Sequence, residues 1–198
     1  MKKRKKIIAW ILVVLSVVLV GGYFAIGNYF YDLAVNAHTN KSFLTAGSKQ
    51  KPLSKKEEVR KKENKAFLAD VKSDAWYVTS SDKLKLKLYA ADYKQPTKTN
   101  KWAIVVHGYG GQSTDMASWT RHFYNKNYNV VTPDLRGHGK SQGDYIGMGW
   151  DDRKDMLLWI AKIIQKDPQA EIVLLGVSMG GATCLLYTSP SPRDRSLS

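Results

Sequence analysis

The strongest pattern in the chain lies at its start, where Ile7 to Gly27 run for 21 residues without a charge and almost without a polar side chain. As a helix rising about 1.5 Å per residue, this run covers the roughly 30 Å hydrocarbon core of a bilayer, which predicts a transmembrane anchor over residues 7–27. Five basic residues, Lys2 to Lys6, precede it directly. Lys and Arg are retained on the cytoplasmic side, so residues 1–6 are expected in the cytoplasm and everything after residue 28 outside. Tyr23, Phe24, Tyr29, Phe30 and Tyr31 cluster at the far end, where aromatic rings suit the membrane–water interface. A cleaved signal peptide competes with the anchor, with Val35-Asn36-Ala37 as the cut. The apolar run exceeds the roughly 7 to 15 residues of a signal peptide's apolar stretch, and bulky aromatics intervene before the cut, which favours the anchor. Both readings export the protein.

Residues 28–74 read as an extracytoplasmic stalk. Within it, Ser54 to Lys65 has helical character, with Glu57 and Glu58 four residues before Lys61 and Lys62, but too few apolar residues for a buried face. A solvated spacer is the expectation, with attraction to anionic lipid head groups or wall polymers as the alternative. No internal repeat is visible.

From residue 75 the pattern alternates between strand and helix. Leu84 to Tyr89 alternates apolar and polar residues strictly, as a half-buried strand does, and Trp76 to Thr79 precedes it across Ser-Ser-Asp, which predicts a hairpin. Trp102–Val106, Tyr128–Thr132 and Glu171–Leu175 are short apolar runs of the kind found in parallel strands covered on both faces. Between them, Met116, Trp119 and Phe123 mark one helix. Met156, Trp159, Ile160, Ile163 and Ile164 mark another, which opens on Asp151 and Asp152 and stops at Pro168. The fold class is α/β with a parallel sheet, preceded by a single transmembrane helix.

Composition narrows the function classes. The formal charge of +14 over 198 residues suggests nucleic acid until it is located: residues 1–65 carry +10 and the remainder only +4. The excess belongs to the membrane-proximal part, and no nucleic-acid partner is expected. A single cysteine excludes a disulfide framework and any multi-cysteine metal centre, while 43% hydrophobic residues supply a core.

In parallel sheets the working residues sit at the carboxyl ends of strands, and here each such end carries a glycine-rich turn. These are His107-Gly-Tyr-Gly-Gly111, Pro133-Asp-Leu-Arg-Gly-His-Gly-Lys-Ser141 and Gly176-Val-Ser-Met-Gly180. Gly-x-Ser-x-Gly between a buried strand and a helix is the nucleophile elbow, whose sharp turn lifts the serine hydroxyl clear of the backbone. Ser178 is therefore the candidate nucleophile. Acyl transfer builds negative charge on a carbonyl oxygen, and each backbone N–H aimed at it is worth on the order of 10² to 10³ in rate. The candidate donors are Met179, directly after the serine, and Tyr109 in the first glycine turn.

The three turns with their intervening strands resemble the α/β-hydrolase superfamily. More narrowly, the basic start, anchor, stalk and the run from Pro133 to Trp150 are similar to membrane-anchored bacterial cell-surface hydrolases of serine aminopeptidase-like and esterase-like type. The resemblance implies a Ser-His-acid triad, attack by serine on an ester or amide carbonyl, and no cofactor. It also implies an acid and a histidine after the serine in chain order, whereas only Asp194 follows Ser178 among acids and no histidine does. His107 and His138 lie in turns where the family uses them structurally; a metal held by His107, Asp134 and His138 is the weaker alternative. After Thr183 the expected helical period gives way to a stretch with two prolines, Pro190 and Pro192. Residues 184–198 resemble the conceptual translation of a transposase adapter used in DNA library preparation, so a non-native tail, Cys184 included, is expected. Residues 75–183 then form a partial hydrolase domain, expected to aggregate and to be inactive as it stands. The leading function for the parent is a membrane-anchored serine hydrolase acting on a small-molecule ester or amide. The alternative is a noncatalytic binding or envelope protein on the same fold. The sequence does not separate esterase, lipase, peptidase and acyltransferase, nor does it give the oligomeric state.

Overall fold

Alternation along β3 (Lys101–Val106) sets the layering of the domain. Trp102, Ile104 and Val106 point to one face of the sheet and Ala103 and Val105 to the other, and all five are buried. The structure, a computed structural model, describes residues 2–39 and 52–188. Its elements in chain order are α1 (Lys2–Ala34), α2 (Lys55–Asp70), β1 (Asp74–Thr79), β2 (Lys87–Tyr93), β3, a 3-10 turn (Ser113–Met116), α3 (Ala117–Tyr124), β4 (Asn129–Pro133), α4 (Asp152–Lys166), β5 (Glu171–Gly176) and α5 (Met179–Thr188).

The five strands form one mixed sheet in the order β1-β2-β4-β3-β5. The three strands that follow the hairpin are parallel, with Ile104 opposite both Val131 and Leu174, while β1 and β2 run antiparallel at one side. One face of the sheet packs Trp76, Leu88, Trp102, Ile104 and Val131 against Met156, Trp159 and Ile163 of α4. The other packs Tyr89, Tyr93, Val105 and Val130 against Met116 and Phe67.

Three sequence expectations change. The strand read at Leu84–Tyr89 begins at Lys87 and runs to Tyr93, because Lys85 takes φ +51° and Leu84 is exposed. Asp82 accepts from the Ser80 hydroxyl and the Leu84 N–H and so fixes a turn there. The stalk is not wholly a spacer, since α2 extends to Asp70 and docks on the domain. Phe67 is buried with Tyr93 and Tyr124 at ring-centroid distances of 5.7 and 5.5 Å, and Arg121 pairs with Glu63 at 2.7 Å. The helix starts at a capping box in which Ser54 and Glu57 satisfy each other's backbone N–H. Finally, the helix after the serine continues to Thr188, with Cys184 packed at the edge of the core. Pro190, Pro192 and Asp194 lie outside the described residues.

Asp92 on β2 is buried, and neither carboxylate oxygen has a hydrogen-bond partner among the described residues; the Lys166 ammonium stands 3.6 Å away. Burial pushes its carboxyl up to about 6, against the pull of Lys166 and Lys94. A raised carboxyl contributes stability below its ordinary pKa of about 3.9, and that contribution is lost as pH rises through about 6. Asp92→Asn should therefore stabilise the chain by about 1–3 kcal/mol at pH 8 and leave it unchanged at pH 4, read by urea unfolding in detergent micelles. In the same assay Phe67→Ala should cost about 3 kcal/mol, whereas an undocked α2 would leave the midpoint in place.

Candidate active site

Between β5 and α5 the chain reverses in two residues. Ser178 takes φ +53°, a left-handed conformation that costs an L-residue about 1–3 kcal/mol, and its side chain is exposed. The turn is possible because α5 starts directly against the end of β3. A Cβ on Gly180 would collide with the carbonyl oxygens of Val106 and His107, and one on Gly176 with the backbone of Gly180 itself. Val177 continues the ladder by donating to the Val106 carbonyl at 3.1 Å. Met179 opens α5, where no preceding helical turn takes up its N–H, and sinks its side chain into the core.

The first glycine loop runs beside this turn. A Cβ on Gly108 would lie 3.1 Å from the Val177 carbonyl oxygen and 3.3 Å from the Ser178 Cβ, so the loop passes the serine with backbone alone between them. The Gly111 N–H closes the loop on the Gly108 carbonyl at 3.1 Å. Tyr109 follows Gly108, and its hydroxyl donates to the Ala34 carbonyl at the end of α1 at 2.9 Å. Ser178, Met179 and the Gly108–Tyr109 segment are thus gathered at one end of the sheet.

Two histidines fasten this loop to the next. His107 Nδ1 donates to the Gly108 carbonyl at 2.7 Å and Nε2 accepts from the Leu135 N–H at 3.0 Å. His138 Nδ1 donates to the Arg136 carbonyl at 3.0 Å, and Nε2 accepts from the Gly110 N–H at 3.2 Å. The rings stand 4.9 Å apart, and burial holds His107 below its ordinary pKa, so it stays neutral. Asp134, weighed with them as a metal ligand, instead accepts from the backbone N–H groups of Ser113 at 2.6 Å and Lys140 at 2.8 Å. Both histidines and the aspartate are committed to holding the loops in shape.

The pattern did not single out Arg136, which anchors the second loop from below. Its guanidinium is buried and forks onto Asp155 through Nε and a terminal nitrogen, both at 2.9 Å, and reaches Asp82 at 2.7 Å and the Tyr145 hydroxyl at 3.2 Å. These carboxylates raise its pKa further, so it carries its charge throughout the accessible range. An arginine between Leu135 and Gly137, followed at helical spacing by Asp152 and Asp155, was the available signal.

A protein-family model described as serine aminopeptidase, S33 matches residues 97–196. The chain belongs to this family. Among curated relatives, the protein phosphatase methylesterase 1 of Candida albicans is 28% identical over 110 residues, which is 56% of the chain and 30% of that relative. An esterase from Pyrococcus furiosus superposes with a TM-score of 0.56 at 23% identity, over 66% of this chain and 48% of its own. An alpha-beta serine hydrolase homologue from Coxiella burnetii gives 0.51 at 18% identity, over 59% and 58%. The S33 chain therefore spans 30% to 58% of the length of these proteins, and the α/β-hydrolase fold is common to the structures.

Arg136→Leu leaves Asp155 buried without its partner. It should cost about 3–5 kcal/mol at pH 8 and less at pH 5, where Asp155 can take up a proton, measured as the unfolding midpoint at both pH values.

Proposed function

We propose that the parent protein is a membrane-anchored serine hydrolase that cleaves an ester or small amide through an acyl-enzyme on Ser178. The observation that carries this reading is the exposed Ser178 at φ +53°, set at the open N-terminus of α5 with Gly108 against it. In the proposed reaction the serine Oγ attacks the carbonyl carbon and its proton passes to a general base. The oxygen that becomes negative accepts from the N–H groups of Met179 and Tyr109, before the tetrahedral adduct collapses to the acyl-enzyme and the base hands its proton to the departing alcohol or amine. The positive end of the α5 dipole favours the same charge.

The base is not one of the two histidines nearest the loops, since both ring nitrogens of His107 and of His138 are engaged with backbone. In this reading the histidine and acid of the triad come from sequence of the parent that follows the elbow helix. No cofactor takes part. The anchor is α1, the one described helix long and apolar enough to cross a membrane. Its large apolar side chains from Ile7 to Ile26 are all more than half exposed, a surface that lipid would cover, with the basic start in the cytoplasm and the domain outside.

A fluorophosphonate probe should label the full-length parent in membranes, and Ser178→Ala should abolish the labelling. The 198-residue chain should show no turnover of a short-chain nitrophenyl ester. Turnover by this chain that disappears with Ser178→Ala would overturn the missing-base argument, and an unlabelled parent would overturn the serine reading in favour of a noncatalytic one.

A further inference from the structure

We infer that the mouth of this site is held in the lipid head-group layer, and that its substrate is an acyl ester resident in the bilayer and carrying an anionic head group. The inference rests on the anchored-hydrolase reading above and adds to it a position and a substrate class.

The position follows from how the end of α1 is sewn to the loops of the site. The Tyr109 hydroxyl donates to the Ala34 carbonyl at 2.9 Å, the Ile146 N–H to the Val35 carbonyl at 2.8 Å, and the Ala37 N–H to the Asp144 carbonyl at 3.0 Å. Asn36 pairs with Tyr145 in an antiparallel bridge, and His38 Nε2 meets Asp144 at 2.9 Å. Ala37 also packs against the core. The apolar run ends at Gly27 and the helix at Ala34, so seven further residues carry the chain about 10 Å beyond the hydrocarbon edge, less if the helix tilts. Head groups occupy roughly 5–8 Å on each side of the core, so the loop that flanks Ser178 stands at or just above that layer. Beyond the bridge, Met148 and Trp150 are about half exposed, and the Arg153 guanidinium lies 3.7 Å over the Trp150 ring, an amphipathic pair suited to an interface.

The substrate class follows from the groove that opens at Gly108 and Val177, next to the serine. A cleft of about 830 Å³ extends from Gly108 and Val177 between α2 and α3. One wall is apolar, with Met116, Trp119 and Val177. The other presents Arg60, Lys61 and Lys65 of α2; the charge of Arg60 acts on Glu57, while Lys61 and Lys65 form no ion pair among the described residues. The acids of the lining are engaged locally: Glu57 accepts from Ser54, and Asp115 accepts from the Gln112 N–H at 2.9 Å. An apolar wall facing Lys61 and Lys65, opening beside the turn that carries the serine at head-group height, fits an acyl chain with a negative head.

The test uses the full chain in phosphatidylcholine proteoliposomes doped with a phosphatidylglycerol whose acyl chain carries a diazirine. After irradiation, adducts are mapped by mass spectrometry. Adducts are expected in residues 7–27, from the surrounding bilayer, and also in the peptide containing Met116 and Trp119. Trp119→Glu should reduce the second about tenfold while leaving the first unchanged, since a charge on the apolar wall repels the chain. Adducts in α1 alone would overturn the inference and leave the anchor standing, whereas a chain with no adducts in α1 would overturn the anchored reading as well. Equal groove labelling by a diazirine phosphatidylcholine would overturn the anionic preference.

Discussion

Backbone touching backbone at the ends of β3 and β5 is the constraint from which the rest of the site follows. Gly180 rests on the carbonyls of Val106 and His107 with no room for a side chain, and this fixes where α5 starts. With the helix start fixed and β5 held in register to Gly176, Val177 and Ser178 are left to reverse the chain, and a left-handed serine is how the reversal closes. The exposure of the hydroxyl, the open N–H at the head of α5 and the burial of Met179 are consequences of that one contact. Gly108 extends the same logic to the neighbouring loop, which reaches the serine only because nothing projects from it.

Loops this rich in glycine do not hold a shape by packing, and polar groups do it instead. His107 and His138 each bridge the first and second glycine loops with one donor and one acceptor nitrogen, which requires both to be neutral; burial favours that state for His107. Arg136 then ties the second loop to the β1–β2 turn through Asp82 and to α4 through Asp155. A buried ion pair is weak support for net stability, because desolvation offsets much of the attraction. Its directional fork instead joins three segments distant in sequence, whose relative placement the hydrophobic core alone would leave loose.

The sequence made some of this legible and hid the rest for physical reasons. The runs at 102–106, 128–132 and 171–175 announce strands to within a residue or two because they are short and apolar, and the first two are covered on both faces. Gly-x-Ser-x-Gly announces the elbow because the backbone collision demands those glycines. The alternation at Leu84–Tyr89 misleads, since the turn around Asp82 depends on Arg136, more than fifty residues away. The docking of α2 is invisible in its charged first three turns and rests on Phe67, just past the stretch that reads as a solvated helix. Cys184 to Thr188 carry on the helix that the two later prolines suggest is broken.

The join between α1 and the domain repeats, at the other end of the loop, the rule that unsatisfied backbone must find a partner. A helix leaves its last carbonyls without intrahelical donors, and α1 ends with no basic residue in its final turn to answer them. The Tyr109 hydroxyl donates to Ala34, and the Ile146 N–H answers Val35 one residue later. The donor comes from the residue next to Gly108, the glycine packed against the serine. One tyrosine therefore belongs to two structures at once: its backbone to the loop beside Ser178, and its hydroxyl to the end of the apolar helix. Turning the domain relative to α1 requires breaking that bond together with the Val35–Ile146 and Ala37–Asp144 pairs, so the direction in which the serine faces is set by where the helix lies.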